Sequence, residues 1–422
     1  MPRRKSAPPI RYGFIDEAGG WAIPPSFDDV SSFSDGLAAA ARRGRYGFVD
    51  HTGAWVLEPR FSMARKFEEG FAWVADKRGE FRIDRAGRRH AGWLGRTVQG
   101  RRRLCVGGTR LGDAPEPTGG TWGFTDGTGK VVVEPRYTGN AGENPPDYAE
   151  GLAVCRRGEI HVGAESGYDV VDLAGKVILE ALAFVEMRSF HEGRALVKVF
   201  GQGCGFVDRD GRLVIEARWS SANRFSGGRA AVCDRAGAWG FVDTGGQQVI
   251  PCRFSVAHEF SEGKGLVGAA GRFGFAELDG TVGDLQWERA NSYSGGRAVV
   301  SSRAEGAWGA IDPAGRLAVP ENFRTLSSFA DGVARAEPAS ERGAERRVGY
   351  LGIDGEWRVP PEFDELGSWQ QLILARRGAK WGFVDQTGRE RIPFRYDRGR
   401  SRFFEGLAAL GVVETAASAA AG

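Results

Sequence analysis

An all-β tandem-repeat fold is what the sequence predicts, and three observations predict it. A short aromatic-Gly phrase returns along the chain at a spacing of about 35 residues. Each copy is followed by the same landmarks in the same order. Glycine makes up 64 of the 422 residues, roughly twice average usage, beside 11% aromatic and 41% hydrophobic residues. Such a composition supplies frequent sharp turns between apolar strands that still build cores.

The phrase is Tyr12-Gly13-Phe14-Ile15-Asp16, and it returns at Tyr46, Trp122, Cys204, Trp239, Phe273, Trp308 and Trp381. Weaker copies begin at Phe81, Tyr168 and Tyr350, which makes eleven repeats. The repeats starting at 80, 168 and 350 depart furthest from the pattern, so any break in the array is expected there. Longer steps place insertions near 88–121, 138–147 and 335–347.

Period-2 alternation sets the faces of the first strand. Tyr46, Phe48 and Asp50 share one face, Gly47 and Val49 the other. A glycine fixed at one strand position predicts close approach of a backbone or a ring. Asp50 to Gly53 then reads as a turn whose carboxylate bonds an amide two residues on while Gly supplies a positive φ. The apolar run from Trp55 through Pro59 to Phe61 is a second strand, and its proline assigns it to a sheet edge. Phe33-Ser34-Asp35-Gly36 leads into the small-residue strand Leu37 to Ala41, which joins the next aromatic-Gly strand through Arg42-Arg43-Gly44. Each repeat is therefore a three-stranded antiparallel meander.

The ends carry a further signal. Tyr12 opens an aromatic-Gly strand with no small-residue strand before it, and Leu407 to Leu410 is a small-residue strand with no aromatic-Gly strand after it. Together they complete one sheet, as in closed propellers. Eleven units exceed the usual four to eight blades. One large ring, two smaller rings and an open solenoid or superhelix all remain open. The array is read as residues 12–413, with 1–11 and 414–422 as flexible tails.

Two phrases, Gly237-Ala238-Trp239-Gly240-Phe241-Val242-Asp243 and Lys380-Trp381-Gly382-Phe383-Val384-Asp385, are very similar to the signature of the WG-repeat (KWG) family. The resemblance covers nearly all of residues 12–410. It implies a bacterial interaction scaffold rather than an enzyme.

Charge and cysteine narrow the function classes. Fifty-seven Lys and Arg against 54 Asp and Glu leave a net charge of +3, spread too evenly for a dedicated nucleic-acid binder. Cys105, Cys155, Cys204, Cys233 and Cys252 never stand as C-x-x-C, so no zinc site or disulfide framework is expected. Three of them, Cys155, Cys204 and Cys233, fall on strand positions, where a thiol acts as a small hydrophobe. A reducing, cytoplasmic setting follows, and no stretch is long and apolar enough for a signal peptide or a membrane span. No nucleophile elbow, H-E-x-x-H, P-loop or kinase motif occurs, and His51, His90, His161, His191 and His258 sit in unrelated repeats. Gly201 to Gly205 reads as a turn entering a strand and Glu192 as a turn-former. Asp208 to Gly211 lacks the ligands of a calcium loop. No cofactor or metal is expected.

What remains is binding. The turn residues Arg42, Arg43, Lys77, Arg78, Arg156, Arg157, Arg376 and Arg377, with Arg101, Arg102 and Arg103 in an irregular stretch, form a candidate basic rim. Tyr12, Tyr46, Trp122, Trp239, Trp308 and Trp381 mark the repeat signature, primarily as packing residues. The four tryptophans also offer a ladder for stacking sugars or bases. The insertions are the other candidate, because loops on a rigid scaffold commonly set specificity. The sequence thus predicts a non-enzymatic scaffold binding a protein partner through a rim and loops. The alternative is a glycan- or nucleic-acid-binding module.

Overall fold

The computed structural model describes residues 8–90, 93–106, 120–138, 148–158, 166–303, 307–339 and 345–414. Among them every helix or strand element is a β-strand. The remainder of the three expected insertions, Pro115 to Pro117 included, and of both tails lies outside the described residues, as does His161.

The second repeat shows how the sequence makes its sheet. The small-residue strand Ala38–Arg42 turns back through Arg43 and Gly44, at φ of 52° and 70°, into the aromatic-Gly strand Arg45–Val49. Two successive residues at positive φ make the turn whose twist matches an antiparallel pair. Asp50 closes the next turn, its Oδ1 accepting from the amides of Thr52 at 2.9 Å and Ala54 at 3.1 Å. The third strand, Trp55–Phe61, sets Leu57 opposite Phe48 and Phe61 opposite Tyr46. Between those pairs Gly47 alone faces Glu58, Pro59 and Arg60, so the third strand bulges over the glycine. A Cβ on Gly47 would stand 2.3 Å from the Leu57 carbonyl oxygen and 2.8 Å from Pro59 N. Proline suits the bulge because it has no N–H to leave unpaired. The same crowding, with a carbonyl oxygen at 2.2–2.6 Å, recurs at Gly13, Gly123, Gly205, Gly240, Gly309, Gly349 and Gly382.

The expected meander gains a short fourth strand. Asp29–Val30 pairs with Ala41 and Ala40 on the free side of the small-residue strand. It follows directly on the third strand of the preceding repeat, Trp21–Phe27, so the chain steps from one sheet to the next there. Seven sheets hold one repeat each, and two longer sheets of eight and seven strands hold two each. The first repeat joins the two ends of the array. Ile10–Ile15 pairs with Ala408–Val413 in an unbroken register from Ile10 opposite Val413 to Ile15 opposite Ala408.

The chain divides into two compact units. One comprises residues 1–91, 323–326 and 332–422, the other residues 92–322 and 327–331. In each, successive sheets bury their faces against one another. In the first, Phe14, Ile23 and Phe27 of the first repeat pack with Val30, Phe33 and Ala40 of the second. In the other, Phe241 and Ile250 of the seventh repeat pack with Phe260 and Val267 of the eighth.

Three details differ from the sequence reading. The repeats starting at 168 and 350 have full third strands, Val177–Phe184 and Trp357–Phe363, whereas the one starting at 80 keeps only Arg89–His90 and the third strand of the eighth is reduced to isolated bridges. The stretch around Arg101 is not irregular. Trp93–Val98 and Arg101–Val106 are the outer and small-residue strands of the fourth repeat. Arg103 and Cys105 are buried at alternate positions there, and the arginine triplet hides that alternation. The closing strand runs on to Val413 rather than ending at Leu410.

Candidate functional site

The basic turns sort into exposed and engaged groups. Arg42, Arg43, Lys77 and Arg78 are exposed, with the Arg42 guanidinium over the Trp55 ring at 5.2 Å. Arg376 donates to Glu365 at 2.9 Å, and Arg377 lies over Phe363 and Phe394 at 5.1 and 4.9 Å. Arg157 pairs with Asp169 at 3.0 Å, and Arg156 is buried. Arg101 and Arg103 do not belong with these hairpin turns. Arg42 lies opposite Arg45 at the hairpin end of its sheet, whereas Arg101 lies opposite Asp126 at the other end. Arg101 donates to the Leu173 carbonyl of the following repeat at 2.6 Å. Arg194 and Arg229 do the same to Thr244 and Leu278, at 3.3 and 2.6 Å. The side chain of Arg102 lies outside the described residues.

The signature aromatics are packing residues. Trp122 is buried; Trp239, Trp308 and Trp381 are half-buried. Arg289 covers the Trp308 ring at 4.1 Å, and a Cβ on Gly399 would stand 2.5 Å from the Trp381 ring. Tyr12 packs likewise on Gly411. The Tyr46 hydroxyl donates to Asp29 at 2.8 Å, and burial together with that carboxylate pushes its pKa up to about 12. A sugar or base needs a free ring face, which these contacts take up at Trp308 and Trp381.

The recurrent carboxylates are occupied too. Hydrogen bonds from the Thr52 and Thr128 hydroxyls and from backbone amides hold Asp50 and Asp126 below the ordinary carboxylate range. Glu192 is a turn residue at φ 53°, as expected. It also accepts from the amides of Gly227 and Gly228 in the next repeat at 2.7 and 2.8 Å. Glu262 treats Gly295 and Gly296 the same way at 2.8 and 2.9 Å, and Asp35 accepts from Gly70 at 2.6 Å. Cys155 is buried, which pushes its thiol well above the ordinary range and leaves it a poor nucleophile.

One cavity, of about 270 Å³, lies between the eighth and ninth repeats, and the sequence reading missed it. Phe275, Trp287, Tyr293 and Ile311 supply apolar walls. Lys264 also lines it and is ion-paired to Glu277. The exposed Asp284 lines the cavity as well. Its cause is local. In regular repeats an aliphatic residue of the third strand lies opposite the second aromatic, as Ile250 does opposite Phe241 and Ile23 opposite Phe14. That side chain abuts the turn glycine of the following repeat, Ile23 against Gly53 and Ile215 against Gly246. In the eighth repeat the place is taken by the exposed Asp284, whose carbonyl oxygen would stand 2.7 Å from a Cβ on Gly274, as that of Ile250 would stand 2.4 Å from one on Gly240. A Cβ on Gly315, the turn glycine facing it, would meet nothing within 4 Å. The signal was in the sequence: one residue fewer separates Glu277 from Trp287 than Asp243 from Phe254.

Comparison with known proteins agrees with this repeat structure. The family described as WG containing repeat matches residues 12–45, 46–77, 122–139, 170–201, 205–235, 239–268, 349–371 and 381–410. No curated protein matches the chain. Among solved structures, a eukaryotic initiation factor is similar at 12% identity and a TM-score of 0.44, over 78% of this chain and 95% of that one. BamB from Moraxella catarrhalis is similar at 12% identity and a TM-score of 0.33, over 74% and 97%. Likenesses at these scores say nothing of function.

Proposed function

We propose, for a chain that belongs to the WG containing repeat family, a non-enzymatic role as a rigid repeat scaffold that holds protein partners at its exposed basic turns and inserted loops. One observation carries this reading. The carboxylates that would serve as acids or bases recur from repeat to repeat and are held by backbone amides, as Asp50 and Glu192 are. Catalysis needs a group whose proton is free to move and whose surroundings differ from its copies. Rigidity is supported by ties between successive repeats, carboxylates on turn amides and arginines on turn carbonyls. The unpaired cysteines, four of them buried, support a reducing, cytoplasmic setting. No helix among the described residues is long and apolar enough to cross a membrane.

The glycan- or nucleic-acid-binding reading takes second place, because arginines and glycines cover the Trp308 and Trp381 rings. The test is affinity capture on the immobilised full chain beside an R42E/R43E variant. A partner retained by the parent and lost by the variant at equal salt supports the proposal. Retention by both in equal amount removes the turns from it. A turnover abolished by substituting one carboxylate overturns it altogether.

A further inference from the structure

The cavity beside Asp284 is missing two side chains that other repeats supply, and their chemistry identifies what fits. The first is the aliphatic side chain already described. The second is an arginine. In five repeats an arginine precedes the last aromatic of the third strand and lies over its ring: Arg60, Arg136, Arg218, Arg253 and Arg395, at 4.7–5.2 Å. In two of them the guanidinium also donates to the carbonyl of the next turn glycine: Arg395 to Gly19 at 2.9 Å, Arg60 to Gly87 at 3.4 Å. The eighth repeat has Gln286 before Trp287, and among the described residues no guanidinium lies over the Trp287 ring. Gly315 is the turn glycine that faces this place, and it lines the cavity with Gln286 and Trp287. Asp284, also at the cavity, has no hydrogen-bond or ion-pair partner through its carboxylate among the described residues.

We propose that this cavity binds the arginine side chain of a partner protein, which rests on the scaffold reading above. The methylene stem of the arginine occupies the space beside Asp284 that an isoleucine fills elsewhere. Its guanidinium stacks on Trp287 and donates to the Gly315 carbonyl and the Asp284 carboxylate. A planar donor on an aromatic face beside a carboxylate favours guanidinium over ammonium.

The probe is Nα-acetyl-L-arginine amide, titrated into the full chain by NMR or calorimetry, with the citrulline amide as its neutral isostere. The arginine compound should bind at least tenfold more tightly than the citrulline one, and Asp284→Asn should remove about that factor. Asp284→Ile should abolish binding by filling the space with the residue of the regular repeats. If Asp284→Ile does not fold, the citrulline comparison and Asp284→Asn decide. Equal binding of the two amides, no saturable binding, or undiminished binding by folded Asp284→Ile overturns the proposal. Partner capture that is lost in R42E/R43E but intact in Asp284→Ile would overturn this site alone and leave the scaffold reading standing.

Discussion

Gly240→Ala should unsettle the seventh repeat far more than its single added methyl suggests. The new Cβ would stand 2.4 Å from the Ile250 carbonyl oxygen, 2.7 Å from Cys252 N and 2.8 Å from the Pro251 carbonyl carbon. All three are backbone atoms, so no side chain can rotate out of the way. The bulged strand must lift, at the overpacking cost of about 1–3 kcal/mol. Weakening the bonds between Phe241 and Ile250 adds about 0.5–1.5 kcal/mol. A total loss near 2–4 kcal/mol lowers the midpoint of a compact unit of this size by roughly 5–15 °C. Gly283→Ala is the matched control in the next repeat, where the nearest atom is 3.7 Å away. It should gain about 0.4–1 kcal/mol by restricting the unfolded chain. Scanning calorimetry on the full chain reads both. A Gly240→Ala midpoint within 1 °C of the parent, or a Gly283→Ala midpoint below that of Gly240→Ala, refutes the bulge-over-glycine account.

Three further outcomes are expected. Glu192→Ala should cost about 1–2 kcal/mol in chemical denaturation, because it strips the acceptor from Gly227 and Gly228 and keeps a Cβ at φ 53°. Glu192→Gly should be close to neutral, since relief of the backbone offsets the lost bonds. The carboxyls of Asp50 and Asp126 lie below their unfolded values. Their contribution is therefore whole above about pH 4 and is lost as pH falls through the native pKa. Thr52→Val should flatten the fall in thermal midpoint between about pH 4 and 2, and an unchanged slope would count against the hydroxyl as the cause. Deleting residues 408–422 should speed hydrogen exchange at Ile10–Ile15 at least tenfold, because the partner strand of those amides is gone.

Much of this fold is legible because each landmark has one local cause. The crowded glycine, the Asp turn and the proline bulge act within a single repeat and can be read in one copy. The fourth strand escapes such reading because Asp29–Val30 has only two residues and pairs with a strand ten positions away. Arg101 to Arg103 escape because charge masks a buried alternation. Ties such as Glu192 to Gly227 join neighbouring repeats, so only the assembled structure brings the two ends together. The cavity at Asp284 is the reverse case. It is written in the sequence as a missing isoleucine, a missing arginine and a shortened spacing, but those are departures from a pattern and become visible only once the contacts of the regular copies are known.

The pairing of Ile10–Ile15 with Ala408–Val413 also orders events during synthesis. At about 5–20 residues per second, the ribosome needs roughly 20–80 s to travel from one strand to the other. For that interval the nascent N-terminal strand carries a row of donors and acceptors open to any passing extended segment. Chaperone demand, and the hazard of pairing with a neighbouring polysome's product, should therefore peak before the last few dozen residues emerge.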